Sequence, residues 1–208
     1  VTMNEADWDA RYTNTDRVWS NNPNHALEGE LTNLTPGTAL DVGCGEGADA
    51  RWLADRGWKV TAVDISSAAL ARAKELNDHP SISWTHADPV QNPPEPSTFD
   101  LVSMHYFPLV RTPGDVAARA FVGAVAPGGT LFVVSHDMTE DHIRKHAQSH
   151  SGDPDFNPLD YYTSHEFAAF LDHNWKILVD RTQPRRIDPS SGGAAHINDT
   201  VLRAVRIA

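Results

Sequence analysis

Five short apolar runs, each followed by a helical pattern or a turn, constrain what this chain can fold into more than any other feature. Thr38–Val42, Lys59–Val63, Ile82–Thr85, Phe99–Met104 and Gly129–Ser135 read as buried strands. Between them, Ala48–Arg56 carries Trp52, Leu53 and Ala54 and stops at Gly57. Ser66 or Ser67 caps a helix with Ala69, Leu70, Ala73 and Leu76 at helical spacing, and Asp115–Val125 is also helical. Such alternation predicts an open, mostly parallel sheet covered on both faces. Right-handed crossovers bring the strand C-termini to one edge, where ligands bind. Trp175–Val179 and Thr200–Ile207 add two strands joined by a loop, which predicts an antiparallel pairing. The expected fold is α/β: a single doubly wound sheet of seven strands, mostly parallel, with an antiparallel C-terminal strand.

The 208 residues suit a single domain, able to bury about 70% of its unfolded surface. One cysteine, Cys44, excludes an internal disulfide framework and suits a reducing, cytoplasmic compartment. With 17 basic against 28 acidic side chains, nucleic acid and anionic membrane are not expected partners, since both select clustered Lys and Arg. No apolar run approaches the roughly 20 residues needed to span a bilayer, and no charged-then-apolar segment opens the chain. The Pro-rich stretch Asp88–Ser97 is a surface connection rather than a domain linker.

The first strand runs into Asp41-Val-Gly43-Cys44-Gly45-Glu-Gly47. Glycines at alternate positions let the backbone turn sharply and approach a ligand, with the amides of the following helix pointing at it. Asp64 ends the second strand, about 20 residues on, where a carboxylate can take both hydroxyls of a ribose. Asp88 follows the third strand in Thr85-His-Ala-Asp88, where it can accept from an adenine amino group. LDVGCGEG, VTAVDIS, THADP, FDLVSMHYF and PGGTLFVVS, in that order, resemble the successive motifs of class I S-adenosylmethionine-dependent methyltransferases. The resemblance runs from Leu40 to Ser135. It implies a Rossmann-like sheet, S-adenosyl-L-methionine as cofactor, and a transferase activity of the methyl-transferring class. It also implies cofactor roles for Asp41, Gly43, Gly45, Gly47, Asp64 and Asp88, with Cys44 in the loop and Ile65 beside Asp64. Gly43-x-Gly45-x-x-Ala48 also satisfies the relaxed dinucleotide pattern. An NAD-type oxidoreductase therefore stands as an alternative, as does a non-catalytic cofactor-binding regulatory subunit.

The opening Trp8-Asp-Ala-Arg11-Tyr12, with Trp19 before Pro23, is similar to the start of small methyltransferases of the tellurite-resistance and thiopurine subgroup. That similarity implies Tyr12 and Trp19 as lid residues over the cofactor. His105 and Tyr106 stand after the fourth strand, where members that methylate amide-type nitrogen carry Asn/Asp-Pro-Pro-Tyr, which this chain lacks. His136 and Asp137 end the fifth strand on the same side. Tyr12, His105 and His136 are accordingly the candidate substrate-positioning residues. His142, His146 and His150 recur every four residues but lack the glutamate of a His-Glu-x-x-His site, so a solvated face is expected there and no metal.

The expected organisation is one methyltransferase domain over 1–208. It comprises a helical cap (1–35), a cofactor core (36–135), and a substrate-side insertion with a C-terminal hairpin (136–208). The expected partner is a small-molecule acceptor, with the protein a monomer or homodimer.

Overall fold

In the computed structural model, the structure describes residues 3–15, 18–137, 157–186 and 197–208. The expected triplet His142, His146 and His150 lies outside the described residues. Seven strands form one sheet: β1 (Thr38–Val42), β2 (Lys59–Asp64), β3 (Ile82–His86), β4 (Phe99–His105), β5 (Val125–His136), β6 (Trp175–Pro184) and β7 (Asn198–Arg206). Their spatial order is β3-β2-β1-β4-β5-β7-β6. The first five pair in parallel, and β7 runs antiparallel between β5 and β6. This is the expected Rossmann-like sheet, mostly parallel, with the expected antiparallel pair at its end.

Period-two alternation explains the central strands. In β5, Leu131 and Val133 join an apolar cluster with α5 (Val116–Gly123), while Phe132 and Val134 join another with α2 (His25–Leu31) and α3 (Ala48–Ala54). Both faces are covered, so the run is apolar throughout. Phe121 and Phe132 are fully buried, each contributing about 2–3 kcal/mol of transfer free energy. Leu76 was expected on the apolar face of α4 (Ser67–Leu76), yet it is about half exposed at that helix's last turn.

The first helix is fastened at the N-terminus of another. Ser66 caps α4, and Asp9 of α1 (Glu5–Thr13) accepts from the Ser66 hydroxyl at 2.6 Å, the Ser67 hydroxyl at 3.0 Å and the Ala68 N–H at 3.1 Å. These bonds hold the Asp9 carboxyl below its ordinary range, Ser66 contributing most. Tyr12, one turn along the same helix, is thereby set beside the loop after β1.

The topology places one edge of the sheet. The ends of β1, β2, β4 and β5 meet there, and the gap between β1 and β4 is the point where strand order reverses. Because β7 is antiparallel, it starts at that edge: Asp199 sits opposite His136 on one side and Gln183 on the other.

Candidate active site

The loop after β1 is tied back to β2. The N–H groups of Gly43 and Cys44 donate to the Val63 carbonyl at 2.8 and 3.1 Å. Asp64, at the end of β2, accepts from Gly45 N–H on one oxygen and Ser66 N–H on the other, each at 2.8 Å. It thus joins the loop to the start of α4 and keeps a second lone pair on each oxygen. Burial pushes its carboxyl up, partly offset by those two bonds. Gly45 adopts φ +53°, and a Cβ there would sit 2.9 Å from the Tyr12 hydroxyl. We expect Gly45→Ala to lose about 1–2 kcal/mol in urea unfolding from the left-handed backbone alone. Its ligand affinity should fall further, because the Tyr12 hydroxyl must move.

Three ionisable groups lie beneath the loop. Asp41 is buried, and its Oδ2 has no hydrogen-bond partner. Burial, then the nearby Asp49 carboxylate, pushes the Asp41 carboxyl up to about 7, with His105 opposing. His105 holds Asp49 Oδ2 through Nδ1 at 2.5 Å and faces the Ser103 hydroxyl through Nε2 at 3.2 Å. Burial alone lowers its imidazolium, and the Asp49 carboxylate more than reverses this, so its pKa stands above the ordinary value. Asp49 also accepts from the Asn24 N–H at 2.6 Å. Both His105 nitrogens therefore face protein groups: the residue orders the floor rather than presenting a nitrogen to an acceptor. Burial beside Asp41 and Asp64 pushes the Cys44 thiol well up, so it is a neutral packing group.

Above the loop, Trp19 donates from Nε1 to the Tyr12 hydroxyl at 3.0 Å and from its backbone to Glu46 Oε2 at 3.1 Å. Glu46 is itself buried and paired with Arg72 at 3.1 Å. The Arg11 guanidinium lies 5.1 Å from the Trp19 ring and 5.6 Å from the Trp8 ring. Tyr12 is 3% exposed, and burial raises its hydroxyl pKa, so it stays a neutral hydrogen-bonding group. Along the same edge, Asp88 is half-buried and accepts from the Val90 N–H at 2.8 Å. The half-buried Ile65 offers its carbonyl to His86 Nε2 at 3.0 Å.

A separate cluster closes the β4–β5–β7 side. The rings of Tyr106 and His136 stack with centroids 4.3 Å apart and planes at 22°. Tyr106 has φ +53°, a backbone an aromatic residue rarely adopts. It is held there by its N–H to the Val134 carbonyl at 2.8 Å and by its hydroxyl to Asp199 Oδ2 at 2.8 Å. Asp199 is 4% exposed, and its other oxygen lies 3.8 Å from His136 Nδ1. The Arg185 guanidinium sits 4.8 Å from the Tyr106 ring and 3.5 Å from His136 Nδ1.

Of the residues expected from sequence, Tyr12 and Trp19 meet over the glycine loop, His105 lies below it, and His136 belongs to the Tyr106 cluster. Asp49, Glu46 and Asp199 escaped sequence reasoning. Asp49 and Glu46 flank the loop and had a local signal in their charge, whereas Asp199 had none. Among the described residues, no cluster of three or more His, Cys, Asp or Glu is arranged to hold a metal ion, and no helix is long and apolar enough to cross a membrane.

Residues 39–129 match a family described as a methyltransferase domain. An uncharacterized methyltransferase of Mycobacterium tuberculosis is 38% identical over 125 residues, which are 58% of this chain and 61% of the relative. A ubiquinone biosynthesis O-methyltransferase of Pseudomonas paraeruginosa is 34% identical over 108 residues, 50% of this chain and 46% of the relative. The chain therefore spans only about half to three-fifths of the length of these relatives. A solved structure concerning the conversion of a disulfide bond into a thioacetal group during echinomycin biosynthesis superposes with a TM-score of 0.71. It is 20% identical, over 97% of this chain and 92% of the other.

Proposed function

We propose that the chain is a class I S-adenosylmethionine-dependent methyltransferase that moves a methyl group onto a small-molecule acceptor, a reading supported by the methyltransferase-domain match over residues 39–129. The observation that supports this most is Asp41: a buried carboxylate oxygen without a partner, directly under the glycine loop. An isolated buried charge is costly, so such a group fits a site completed by a cationic ligand. The ammonium group of the cofactor is that cation. Asp64 would then hold the ribose hydroxyls with its remaining lone pairs, and Asp88 the adenine amino group. Gly43, Gly45 and Gly47 leave room for the methionine end beside Cys44 and Ile65.

When bound, the cofactor supplies a methyl group on a sulfonium already activated for displacement. What remains for the chain is to position the acceptor and exclude water, effects worth about 7–11 kcal/mol when orientation is complete. Tyr12 and Trp19 form the cover from residues 1–35, over a core of residues 36–135. His136 and Asp199, at the end of β5 and the start of β7, lie on the acceptor side. The subgroup resemblance carried by Trp8, Arg11 and Tyr12 is supported by their gathering with Trp19. A small acceptor is supported by the relative named for ubiquinone biosynthesis, and the lone cysteine suits a cytoplasmic setting.

The test is an acceptor screen of hydroxyl, thiol, amine and carboxylate compounds that measures S-adenosylhomocysteine release. Turnover dependent on one class is expected. Cofactor binding with no product from any class would overturn the enzyme reading in favour of a regulatory subunit.

A further inference from the structure

We propose that α1 is a gate that lifts to admit and release the cofactor, and that the Asp9 carboxylate on the N-terminus of α4 is its latch. This rests on the cofactor-binding part of the reading above. The cover meets the loop beneath it at contact distance. A Cβ at Gly45 would sit 2.9 Å from the Tyr12 hydroxyl and 3.6 Å from Trp19 Cδ1. Trp19 is bonded to that hydroxyl through Nε1 and to Glu46 of the loop through its backbone N–H. A ligand cannot reach the glycine loop past these groups, so the cover has to move before the methionine end of a cofactor enters or leaves.

The packing lets α1 come away without opening the core. Tyr12 and Val18 are buried with Ala69 in an apolar cluster of their own, flanked by Trp8, Trp19 and Ala68. That cluster is separate from the two that hold the sheet. Within α1, burial falls on Tyr12, and nine residues are too few for a helix to persist unaided. Lifting α1 therefore breaks local contacts and leaves the sheet intact. Polar ties hold it down. Glu5 pairs with His86 at 2.9 Å, both about half exposed, and such a surface pair contributes little. Arg72 donates to the Thr15 carbonyl just beyond the helix. Asp9 makes the strongest tie, with three donors at the positive end of α4.

The latch also reaches the acid assigned to the ribose. Ser66 is fully buried; its hydroxyl donates to Asp9 Oδ1 at 2.6 Å and accepts from the Ala69 N–H at 3.1 Å. Its own N–H donates to Asp64 Oδ1 at 2.8 Å. One residue thus links the gate to the carboxylate at the end of β2, and Asp9 sets where the Ser66 hydroxyl points. Asp9 bonds to α4 and not to the glycine loop, so the same bonds form whether or not a cofactor lies beneath. The latch therefore favours the closed protein equally with and without ligand. Removing it shifts the opening equilibrium by one factor in both states, so entry and escape speed up together while affinity hardly changes.

Stopped-flow binding of S-adenosylhomocysteine, followed by tryptophan emission, separates the two rate constants. Asp9→Ala should raise association and dissociation together, each by about tenfold or more, while Kd moves by less than about threefold. Asp9→Asn, which keeps an acceptor oxygen without the charge, should fall between. Hydrogen exchange of the unsubstituted protein gives a second reading. Amides of Trp8 to Thr13 should exchange well before those of β5, and S-adenosylhomocysteine should slow them. A helix that only adds contacts to a bound cofactor would raise dissociation alone. An unchanged association rate in Asp9→Ala, or α1 amides that exchange as slowly as those of β5, would overturn the proposal. Absence of S-adenosylhomocysteine binding by the wild type in calorimetry would instead overturn the cofactor reading itself.

Discussion

Replacing Asp41 by Asn should make the ligand-free protein more stable and, at the same time, nearly unable to hold the cofactor. In the folded chain the Asp41 carboxyl titrates at about 7, against an ordinary 3.8. A carboxyl whose folded pKa is raised favours folding fully below its unfolded value and loses that contribution as pH rises through the folded one. The wild type therefore gives up stability between about pH 4 and 7, by at most ~4 kcal/mol at 1.36 kcal/mol per unit. An amide cannot ionise, although it has polar needs of its own, so a net gain of about 2 kcal/mol is expected at pH 8. At pH 4 little gain should remain. Removing the anion that meets the cofactor's ammonium should cost about 3 kcal/mol of binding, more than 100-fold in Kd. Urea unfolding at the two pH values and S-adenosylhomocysteine titration measure both halves. A variant destabilised equally at pH 4 and pH 8 would contradict the account of the floor.

His105→Ala should do the reverse and destabilise the fold by about 3 kcal/mol or more near pH 7, because Asp41 and Asp49 then share a buried site with no cation. The sign with pH follows from Asp41 and His105. At pH 5 the Asp41 carboxyl, pushed up to about 7, is protonated, so the gap to wild type should be smaller. At high pH the gap should narrow again. His105 has a folded pKa above its ordinary 6.5, and its contribution is full below that value and lost as pH rises through the folded pKa. Unfolding curves at pH 5, 7 and 9 check this. A gap that does not change with pH would mean His105 contributes by packing on Phe132 alone, whose ring it meets edge-on at 5.4 Å.

The central strands and the loop acids were legible because their signals are local. Buried parallel strands are apolar throughout, and Asp41, Asp64 and Asp88 each stand within a few residues of a strand end. The edge was harder to read. β6 was expected to stop at Val179 but runs to Pro184, through Asp180, Arg181, Thr182 and Gln183. On an edge strand backbone pairing with β7, not burial, holds these residues, so no hydropathy pattern marks them. The site partners were hidden for a different reason. Asp49 meets His105 across 56 residues, and Asp199 faces His136 only because β7 is antiparallel and its register puts the two opposite each other. Spacing along the chain says nothing about either pair.

The central claim is that Asp41, beneath the glycine loop, awaits the cation of an adenosyl amino-acid cofactor. Calorimetric titration with S-adenosylhomocysteine near pH 6.5, in buffers of different ionisation enthalpy, tests it most directly, with NADH as the comparison ligand. The account predicts saturable S-adenosylhomocysteine binding with net proton release as Asp41 ionises, and no heat from NADH. Saturable NADH binding with no heat from S-adenosylhomocysteine would contradict it.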